Sequence, residues 1–150
     1  MKSVLFLCTG NSCRSQMAEA WARHYHGDKV QPFSAGIETH GLNQAAVKVM
    51  NEAGVDMSDH TSKTVDSLLS QRFDLVVTVC GHAQEHCPIW LGAGKVIHQG
   101  FDDPPKLAAQ SQTEEEALDH YRRVRDEIGS FVKNLIILFE AHNDPQSLDR

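Results

Sequence analysis

Apolar residues in the first third of the chain form two short continuous runs, each followed by a helically spaced stripe. Residues 3–7 are almost wholly apolar and end at a glycine-containing turn, which is typical of a buried parallel strand. From Arg14 onward, apolar side chains recur at the spacing of an amphipathic helix. A second run, residues 29–33, precedes another stripe that ends at Gly54. The pattern predicts two strand–helix units.

The rest of the chain continues the alternation. Residues 73–79 form a run rich in Val and Leu, and residues 95–98 form a fourth, shorter run. Residues 100–105 follow as a loop, because each proline restricts the residue before it. A capping-box spacing at Thr113 begins a last long helix, whose apolar stripe continues to Phe139. We expect a three-layer α/β fold with a four-stranded parallel sheet flanked by helices.

The length and composition predict one domain. A chain of 150 residues that is 41% hydrophobic can bury a single core and is short for two. We expect a catalytic domain over residues 1–141 and a flexible polar tail over residues 142–150. A monomer is the default expectation.

Charge and hydropathy exclude two kinds of partner. A formal net charge of −6 opposes sequence-independent binding to nucleic acid, which needs an excess of Lys and Arg. No apolar run approaches the roughly 20 residues that span a bilayer, and the first residues lack a signal-peptide layout. We therefore expect a cytoplasmic protein with neither nucleic-acid nor membrane partners.

Four cysteines are present in a compartment where structural disulfides are rare, so they are expected to be catalytic, metal-binding or simply buried. Their spacings, Cys8-x4-Cys13 and Cys80-x6-Cys87, do not reproduce the Cys-x2-Cys pairs of common zinc modules. The spacing favours thiol chemistry over a metal site.

The loop between the first strand and the first helix carries the pattern Cys-x5-Arg. Its backbone amides can point inward, and the helix N-terminus adds partial positive charge, which together form a nest for a tetrahedral oxyanion. Gly10 is expected to supply backbone freedom, and the Arg14 guanidinium suits two oxygens at once. The predicted oxyanion-binding residues are Thr9, Gly10, Asn11, Ser12, Cys13 and Arg14.

The cysteine at the start of this loop is the predicted nucleophile. Ser15 can donate a hydrogen bond to a Cys8 thiolate, and the positive field of the loop favours the ionised form. The alternative is a buried cysteine followed by a capping turn. The coincidence of strand, Cys, Gly, Arg, Ser and helix favours the nucleophile, whereas Cys13 is interpreted as an accessory thiol.

The segment from Cys8 to Ser15, with Gln16-Met17-Ala18-Glu19 after it, resembles the P-loop of the low-molecular-weight tyrosine phosphatase fold. More narrowly, it resembles the thioredoxin-coupled arsenate reductases. The resemblance covers nearly the whole chain and continues through residues 34–41, 74–78, 100–104 and 123–129.

The resemblance implies a reaction. Asp103, before Pro104, would protonate the departing oxygen after Cys8 attacks the bound anion. In the reductases, a cysteine matching Cys80 then attacks Cys8 and expels arsenite, and one matching Cys87 attacks Cys80. The resulting Cys80–Cys87 disulfide would pass to thioredoxin. Arsenate is then the substrate.

Three alternatives stay open. Phosphate ester hydrolysis begins with the same attack by the loop cysteine, although phosphatases of this fold place aromatic residues after the Asp-Pro, where this chain has Pro105 and Lys106. Residues 80–87 also contain two cysteines and two histidines, a possible metal-ligand set that we consider the weaker interpretation. A thiol-based sensor without turnover is the third alternative.

The resemblance also implies a potassium ion near the loop, which better-known reductases hold with residues matching Asn11, Glu19 and Ser34 plus an Asp. Lys63 stands at the position of that Asp. Its ammonium is expected to repel potassium and to pair with Glu19, unless it points to solvent. We expect no potassium dependence and no other cofactor. Asn11 is expected to hold the loop backbone through its amide, with His60 joining that network.

Overall fold

Four parallel strands form the central sheet of this computed structural model, which describes residues 1–80, 90 and 92–143, with the backbone alone for 140–143. The strands are β1 (Lys2–Cys8), β2 (Val30–Gly36), β3 (Arg72–Thr78) and β4 (Ala93–His98). They lie in the order β2-β1-β3-β4 and each neighbouring pair is parallel. The predicted four-stranded parallel sheet is confirmed.

The helices α1 (Arg14–His26), α2 (Gln44–Glu52), α3 (Pro104–Ala108), α4 (Glu114–Lys133) and α5 (Leu135–Asn143) connect and cover the strands, and a 3₁₀ helix spans Val65–Leu68. Two caps follow from the sequence. The Asn43 side chain accepts from the Ala46 N–H at the start of α2, and Thr113 accepts from the Glu116 N–H at the start of α4. These contacts satisfy amides that an uncapped helix would leave without partners.

The core lies on both sides of β1, whose residues alternate between two faces. Val4 and Phe6 pack into the larger cluster, with side chains of α1 and α4 such as Met17 and Ile128. Leu5 and Leu7 pack into a smaller cluster on the other face. Within the described part of the chain, the 3₁₀ helix and an edge-to-face series of rings from Phe33, Phe73 and Trp90 cover that second face.

Two sequence predictions about the last third of the chain were wrong. The stripe from Thr113 to Phe139 is two helices, because the chain turns at Asn134, whose N–H bonds to Phe131 O and whose side chain donates to Ser130 O. A stripe of apolar positions continues across such a turn and does not reveal it. The predicted loop after β4 contains α3, which begins at Pro104, a position where proline's missing N–H costs no helical bond.

The predicted tail is only partly described. Helix α5 continues to Asn143, beyond the predicted domain end at residue 141, and residues 144–150 lie outside the described residues. None of the described helices is long and apolar enough to cross a membrane.

The carboxyl ends of β1 and β3 meet at one edge of the sheet. Leu7 pairs with Thr78, and the Val79 N–H donates to Leu7 O at 2.9 Å. The Phe101 N–H in turn donates to Val79 O at 3.3 Å. The loop after β1, the residues before Cys80 and the loop containing Asp103 therefore share the edge where ligands of open parallel sheets bind.

Candidate active site

The β1–α1 loop turns sharply at its fourth residue. Asn11 has φ of 48° and is the one non-glycine residue in the described part of the chain with positive φ. Asparagine tolerates this left-handed conformation better than most side chains. Gly10, which was expected to supply the unusual backbone, has no positive φ. Its lack of a side chain matters for another reason, since a β-carbon on Gly10 would collide with the His40 ring in its present position.

Most of the predicted oxyanion-binding residues line one cavity of about 410 Å³ at the sheet edge. Thr9, Gly10, Ser12, Cys13 and Arg14 line it together with Cys8 and Asp103. Asn11 is not part of that lining and is fully buried behind the loop. The arrangement surrounds a small volume with a thiol, a guanidinium and a carboxyl group.

The predicted nucleophile has one close polar neighbour. Cys8 Sγ lies 2.9 Å from Ser15 Oγ, and both side chains are buried. Asn11 Nδ2 donates to the same Ser15 oxygen at 2.8 Å. With a thiolate at Cys8, the Ser15 hydroxyl hydrogen points to the sulfur while its oxygen accepts from Asn11. The arrangement stabilises a negative charge on Cys8.

Arg14 connects the nucleophile loop to the loop of the predicted acid. Its guanidinium is 4% exposed, donates from Nη1 to Phe101 O at 3.0 Å, and places Nη2 3.7 Å from Asp103 Oδ1. Asp103 is about a third exposed, at the cavity, and directly precedes α3. A bound anion at Arg14 would therefore lie within reach of the Asp103 carboxyl.

Cys13 is chemically unlike Cys8. Burial raises the pKa of the Cys13 thiol well above its usual value, and the neighbouring Cys8 raises it further, against a smaller lowering by Arg14. Cys13 is therefore a neutral thiol at physiological pH. Burial also raises the pKa of Tyr121, whose hydroxyl accepts from Asn43 Nδ2 beside the same cavity.

Cys80 is fully buried two residues after β3. It is disulfide-bonded, whereas Cys8 and Cys13 are free. The predicted pairing with Cys87, and the alternative metal site that also uses His82 and His86, lie outside the described residues. Among the residues that the structure does describe, no cluster of His, Cys, Asp and Glu is suited to a metal ion.

Behind the loop, Asn11 accepts two hydrogen bonds on its side-chain oxygen. The donors to Oδ1 are Gln16 Nε2 at 3.0 Å and the backbone N–H of Lys63 at 2.7 Å. Gln16, to which the sequence analysis gave no role, also donates to Thr61 O at 2.9 Å. The loop is thereby tied to the segment that follows α2.

The buried carboxylate of Glu19 has a cation beside it, but not the expected one. Arg23 Nη2 lies 3.1 Å from Glu19 Oε2, and Ser34 Oγ donates to Oε1 at 2.7 Å. The Lys63 ammonium donates to Thr61 O at 2.9 Å, so the expected Lys63–Glu19 pair is not formed. The Glu19 and Arg23 positions are four apart on one helix, and that spacing was the available signal for this pair.

These donors do not fit a potassium ion. Potassium would need oxygens from Asn11, Glu19 and Ser34 to point at one empty position. Asn11 Oδ1 is instead occupied by two N–H donors, and Ser34 and the Arg23 guanidinium already bond to Glu19. A resident guanidinium and an additional cation at the same carboxylate would repel each other.

His60 connects Arg23, which pairs with Glu19, to Gln16, which bonds to Asn11. Arg23 Nη1 lies 3.0 Å from His60 Nε2, and a guanidinium can only donate, so Nε2 accepts and Nδ1 carries the proton. His60 Nδ1 then donates to Gln16 Oε1 at 2.9 Å. Burial lowers the pKa of His60, and Arg23 lowers it too, against an opposing effect of Glu19. The neutral ring agrees with this direction, so the 3.7 Å approach of Nε2 to Glu19 is not an ion pair.

The donors and acceptors form one oriented series. It runs from Arg23 to His60, Gln16, Asn11 and Ser15, and each member donates to the next before Ser15 reaches Cys8. No buried side-chain nitrogen or oxygen of the described residues lacks a hydrogen-bond partner. The nucleophile is thus held by a fully satisfied network, which rigidifies a site more than isolated bonds do.

Comparison with known proteins shows the family of the chain. The family described as "Low molecular weight phosphotyrosine protein phosphatase" matches residues 3–148. The chain is 54% identical over 132 residues to the "Arsenate reductase" of Halalkalibacterium halodurans, covering 88% of this chain and 93% of that protein. Identity and coverage are the same for the "Arsenate reductase" of Bacillus subtilis.

Solved structures give the same picture of the fold. "An arsenate reductase in the phosphate binding state" superposes with a TM-score of 0.77 at 32% identity, covering 93% of this chain and 99% of the other. A thioredoxin-dependent arsenate reductase of Corynebacterium glutamicum superposes with a TM-score of 0.64 at 22% identity, covering 93% of this chain and 62% of the other. At that identity the second likeness concerns the fold alone.

Proposed function

The chain belongs to the low molecular weight phosphotyrosine protein phosphatase family, and from that premise we propose that it reduces arsenate to arsenite by a three-cysteine relay. The relatives that are 54% identical carry the name arsenate reductase. The observation that carries the proposal is the position of Cys80. It follows strand β3, which pairs with β1, and β1 ends at Cys8. Hydrolysis of an adduct on Cys8 needs water and not a second thiol.

The first step is attack on the bound oxyanion. The Cys8 thiolate forms a bond to As(V), Asp103 gives a proton to the hydroxyl oxygen of hydrogen arsenate, and that oxygen leaves as water. Arg14 and the loop amides hold the other oxygens. The Ser15 hydroxyl, 2.9 Å from Cys8 Sγ, can donate a hydrogen bond to the attacking sulfur.

The second step moves the electrons. The Cys80 thiolate attacks Cys8 Sγ, the electron pair of the S–As bond goes to arsenic, and As(III) leaves as arsenite. A Cys8–Cys80 disulfide remains. Neighbouring strands lie about 4.8 Å apart, and a disulfide needs Cα atoms within about 7 Å. The pairing of Leu7 with Thr78 makes Cys8 and Cys80 candidates for such a bond.

The third step releases the nucleophile. Cys87 attacks Cys80, forms a Cys80–Cys87 disulfide and returns the Cys8 thiolate. The thioredoxin dithiol then reduces this disulfide by thiol exchange and becomes a disulfide itself. An oxidised Cys80 beside a free Cys8 is the state that this step would leave. Such exchange suits the reducing cytoplasm.

The deciding experiment couples arsenate addition to NADPH consumption through thioredoxin and thioredoxin reductase. We expect Cys80→Ser and Cys87→Ser to abolish multiple turnovers, while hydrolysis of p-nitrophenyl phosphate by Cys8 survives both. Arsenate-dependent turnover that survived either substitution would contradict the relay. Ester hydrolysis without arsenate reduction in the wild type would establish phosphatase activity, which the family membership makes the second candidate.

We also propose that activity requires no potassium. The Arg23 guanidinium supplies the positive charge at Glu19, and the Asn11 and Ser34 side chains are bonded within the protein. The positive charge beside Glu19 therefore comes from Arg23, a residue of the same helix α1.

A further inference from the structure

The rim of the active-site cavity carries a histidine that the relay does not use. His40 lines the cavity with Gly10, Arg14 and Asp103. It belongs to residues 34–41, a segment in which the sequence analysis assigned a role to Ser34 alone. It is the one histidine among the described residues that line the cavity.

Backbone hydrogen bonds fasten the His40 segment to the P-loop. The Ile37 and Glu38 N–H groups donate to Thr9 O at 2.9 and 3.3 Å, and the His40 N–H donates to Gly10 O at 3.0 Å. The imidazole lies so close to Gly10 that a β-carbon there would collide with Nδ1. The position of His40 is therefore set by the same loop that receives the anion.

A carboxylate orients the ring. His40 Nε2 lies 3.1 Å from Glu38 Oε2, so Nε2 carries a proton and donates to Glu38. In the neutral ring Nδ1 is then an acceptor, and it is the ring atom nearest to the position that a β-carbon on Gly10 would take. The His40 side chain is 52% exposed, so one side meets the solvent at the cavity mouth. The ring thus offers an acceptor at the P-loop.

The described part of the rim has no aromatic side chain besides the His40 imidazole. Gly41, Asn43 and Pro105 also line the mouth, and no Phe, Tyr or Trp is among the described residues that line the cavity. An aryl ester in the P-loop would need space and apolar contact where its organic group leaves the cavity. The His40 ring lies at the cavity mouth.

We propose that His40, oriented by Glu38, is a specificity-determining residue that favours a free tetrahedral oxyanion over its monoesters. The inference rests on the proposed function, in which the loop binds arsenate. Hydrogen arsenate carries an O–H group that can donate to Nδ1. A monoester dianion has no such hydrogen and carries an organic group instead. His40 therefore stabilises binding of the anion whose hydroxyl donates to Nδ1 and hinders binding of an anion that carries an organic group.

The test compares the binding of two anions to the reduced protein, a measurement that does not depend on turnover. Inorganic arsenate and phenyl phosphate are compared as protectants of Cys8 against alkylation by iodoacetamide in the reduced, full-length protein. In His40→Ala we expect the preference for arsenate over phenyl phosphate to fall about tenfold, the size expected of one hydrogen bond. Glu38→Gln should move the preference in the same direction by less. His24→Ala, which changes an exposed histidine on α1, should leave it unchanged.

The same variants are then assayed for arsenate reduction and for p-nitrophenyl phosphate hydrolysis. We expect His40→Ala to raise the arsenate KM more than it lowers kcat and to spare ester hydrolysis. An unchanged protection preference in a folded His40→Ala protein, checked by its thermal midpoint, overturns the inference. Equal losses for arsenate and ester would show that His40 only supports the loop and would also overturn it. Absence of arsenate turnover in the wild type would contradict the proposed function while the protection preference still reports on His40.

Discussion

Cys8 Sγ and Ser15 Oγ lie 2.9 Å apart across the two ends of the P-loop, and both are buried. The contact joins the last residue of β1 to the first turn of α1. The Ser15 hydroxyl can therefore donate to the sulfur that the proposed reaction uses, and the four predictions below concern this contact and the hydrogen-bond network behind it.

Ser15→Ala removes the donor to Cys8. A hydrogen bond to a charged group contributes about 1.5–3 kcal/mol, so the alkylation rate of Cys8 at pH 7 should fall roughly 10- to 100-fold. The arsenate KM should change less, because Arg14 and the loop amides remain. Iodoacetamide kinetics followed by mass spectrometry measure the effect. Ser67→Ala, at an exposed serine, serves as the control, and an alkylation rate equal to wild type in Ser15→Ala would refute the role.

Asn11→Ala should destabilise the fold by about 2–4 kcal/mol. It removes the acceptor of the Lys63 N–H and one acceptor of the Gln16 amide, which keeps Thr61 O, and it forces alanine into a left-handed conformation. Asn11→Gly loses the same hydrogen bonds but tolerates the φ of 48°, so it should recover about 1 kcal/mol of that loss. Urea unfolding measures both. Equal stability of the two variants would show that the backbone conformation costs nothing.

Potassium should not change the wild-type protein. The thermal midpoint and the arsenate reductase activity should be the same in KCl and NaCl, since Arg23 already neutralises Glu19. Arg23→Gln should lower the free energy of unfolding by about 1–3 kcal/mol. This range lies between the energies of exposed and of buried ion pairs, because Arg23 is half-exposed. Arg23→Gln combined with Lys63→Asp should gain a potassium response. A potassium response in the wild type would contradict the proposal.

His60 should make stability depend on pH. Burial lowers its folded-state pKa below the unfolded value of about 6.5, so the unfolded chain binds the proton first as pH falls. The contribution of His60 is therefore complete above about pH 6.5 and declines below it, by at most about 1.4 kcal/mol per pH unit for one proton. Urea unfolding between pH 5 and 7.5 measures the slope. His60→Gln should reduce it and His24→Gln should not; equal slopes in wild type and His60→Gln would refute the assignment.

The P-loop could be located from sequence because its contacts are local. Cys8, Arg14 and Ser15 lie within eight residues, and a strand followed by a helix brings them together without help from the rest of the chain. The four strands were located within a few residues because parallel strands buried on both faces show continuous apolar runs. The break at Asn134 was not visible, since the apolar stripe continues on both sides of it.

Contacts between distant segments were harder to predict. Lys63 was chosen as the partner of Glu19 by its position, yet its ammonium bonds to Thr61 O and Arg23 takes the carboxylate. Gln16 and His40 had no assigned role, because each also meets a distant segment: Gln16 bonds to His60 and Thr61, and the His40 ring lies against Gly10. Where a flexible side chain points depends on all of its neighbours, which a linear pattern does not contain.

The sequence by itself determined the sheet, the P-loop and the family, because apolar periodicity and local spacing are properties of adjacent residues. Only the tertiary structure decided that Arg23 neutralises Glu19, that His60 and Gln16 support Asn11, that Arg14 reaches the Asp103 loop and that His40 covers Gly10. Most of these contacts join segments far apart in the chain, and packing sets their geometry. Even the Glu19–Arg23 pair, which is close in sequence, depends on the tertiary structure, because the Glu19 carboxylate is buried beside Ser34 and His60.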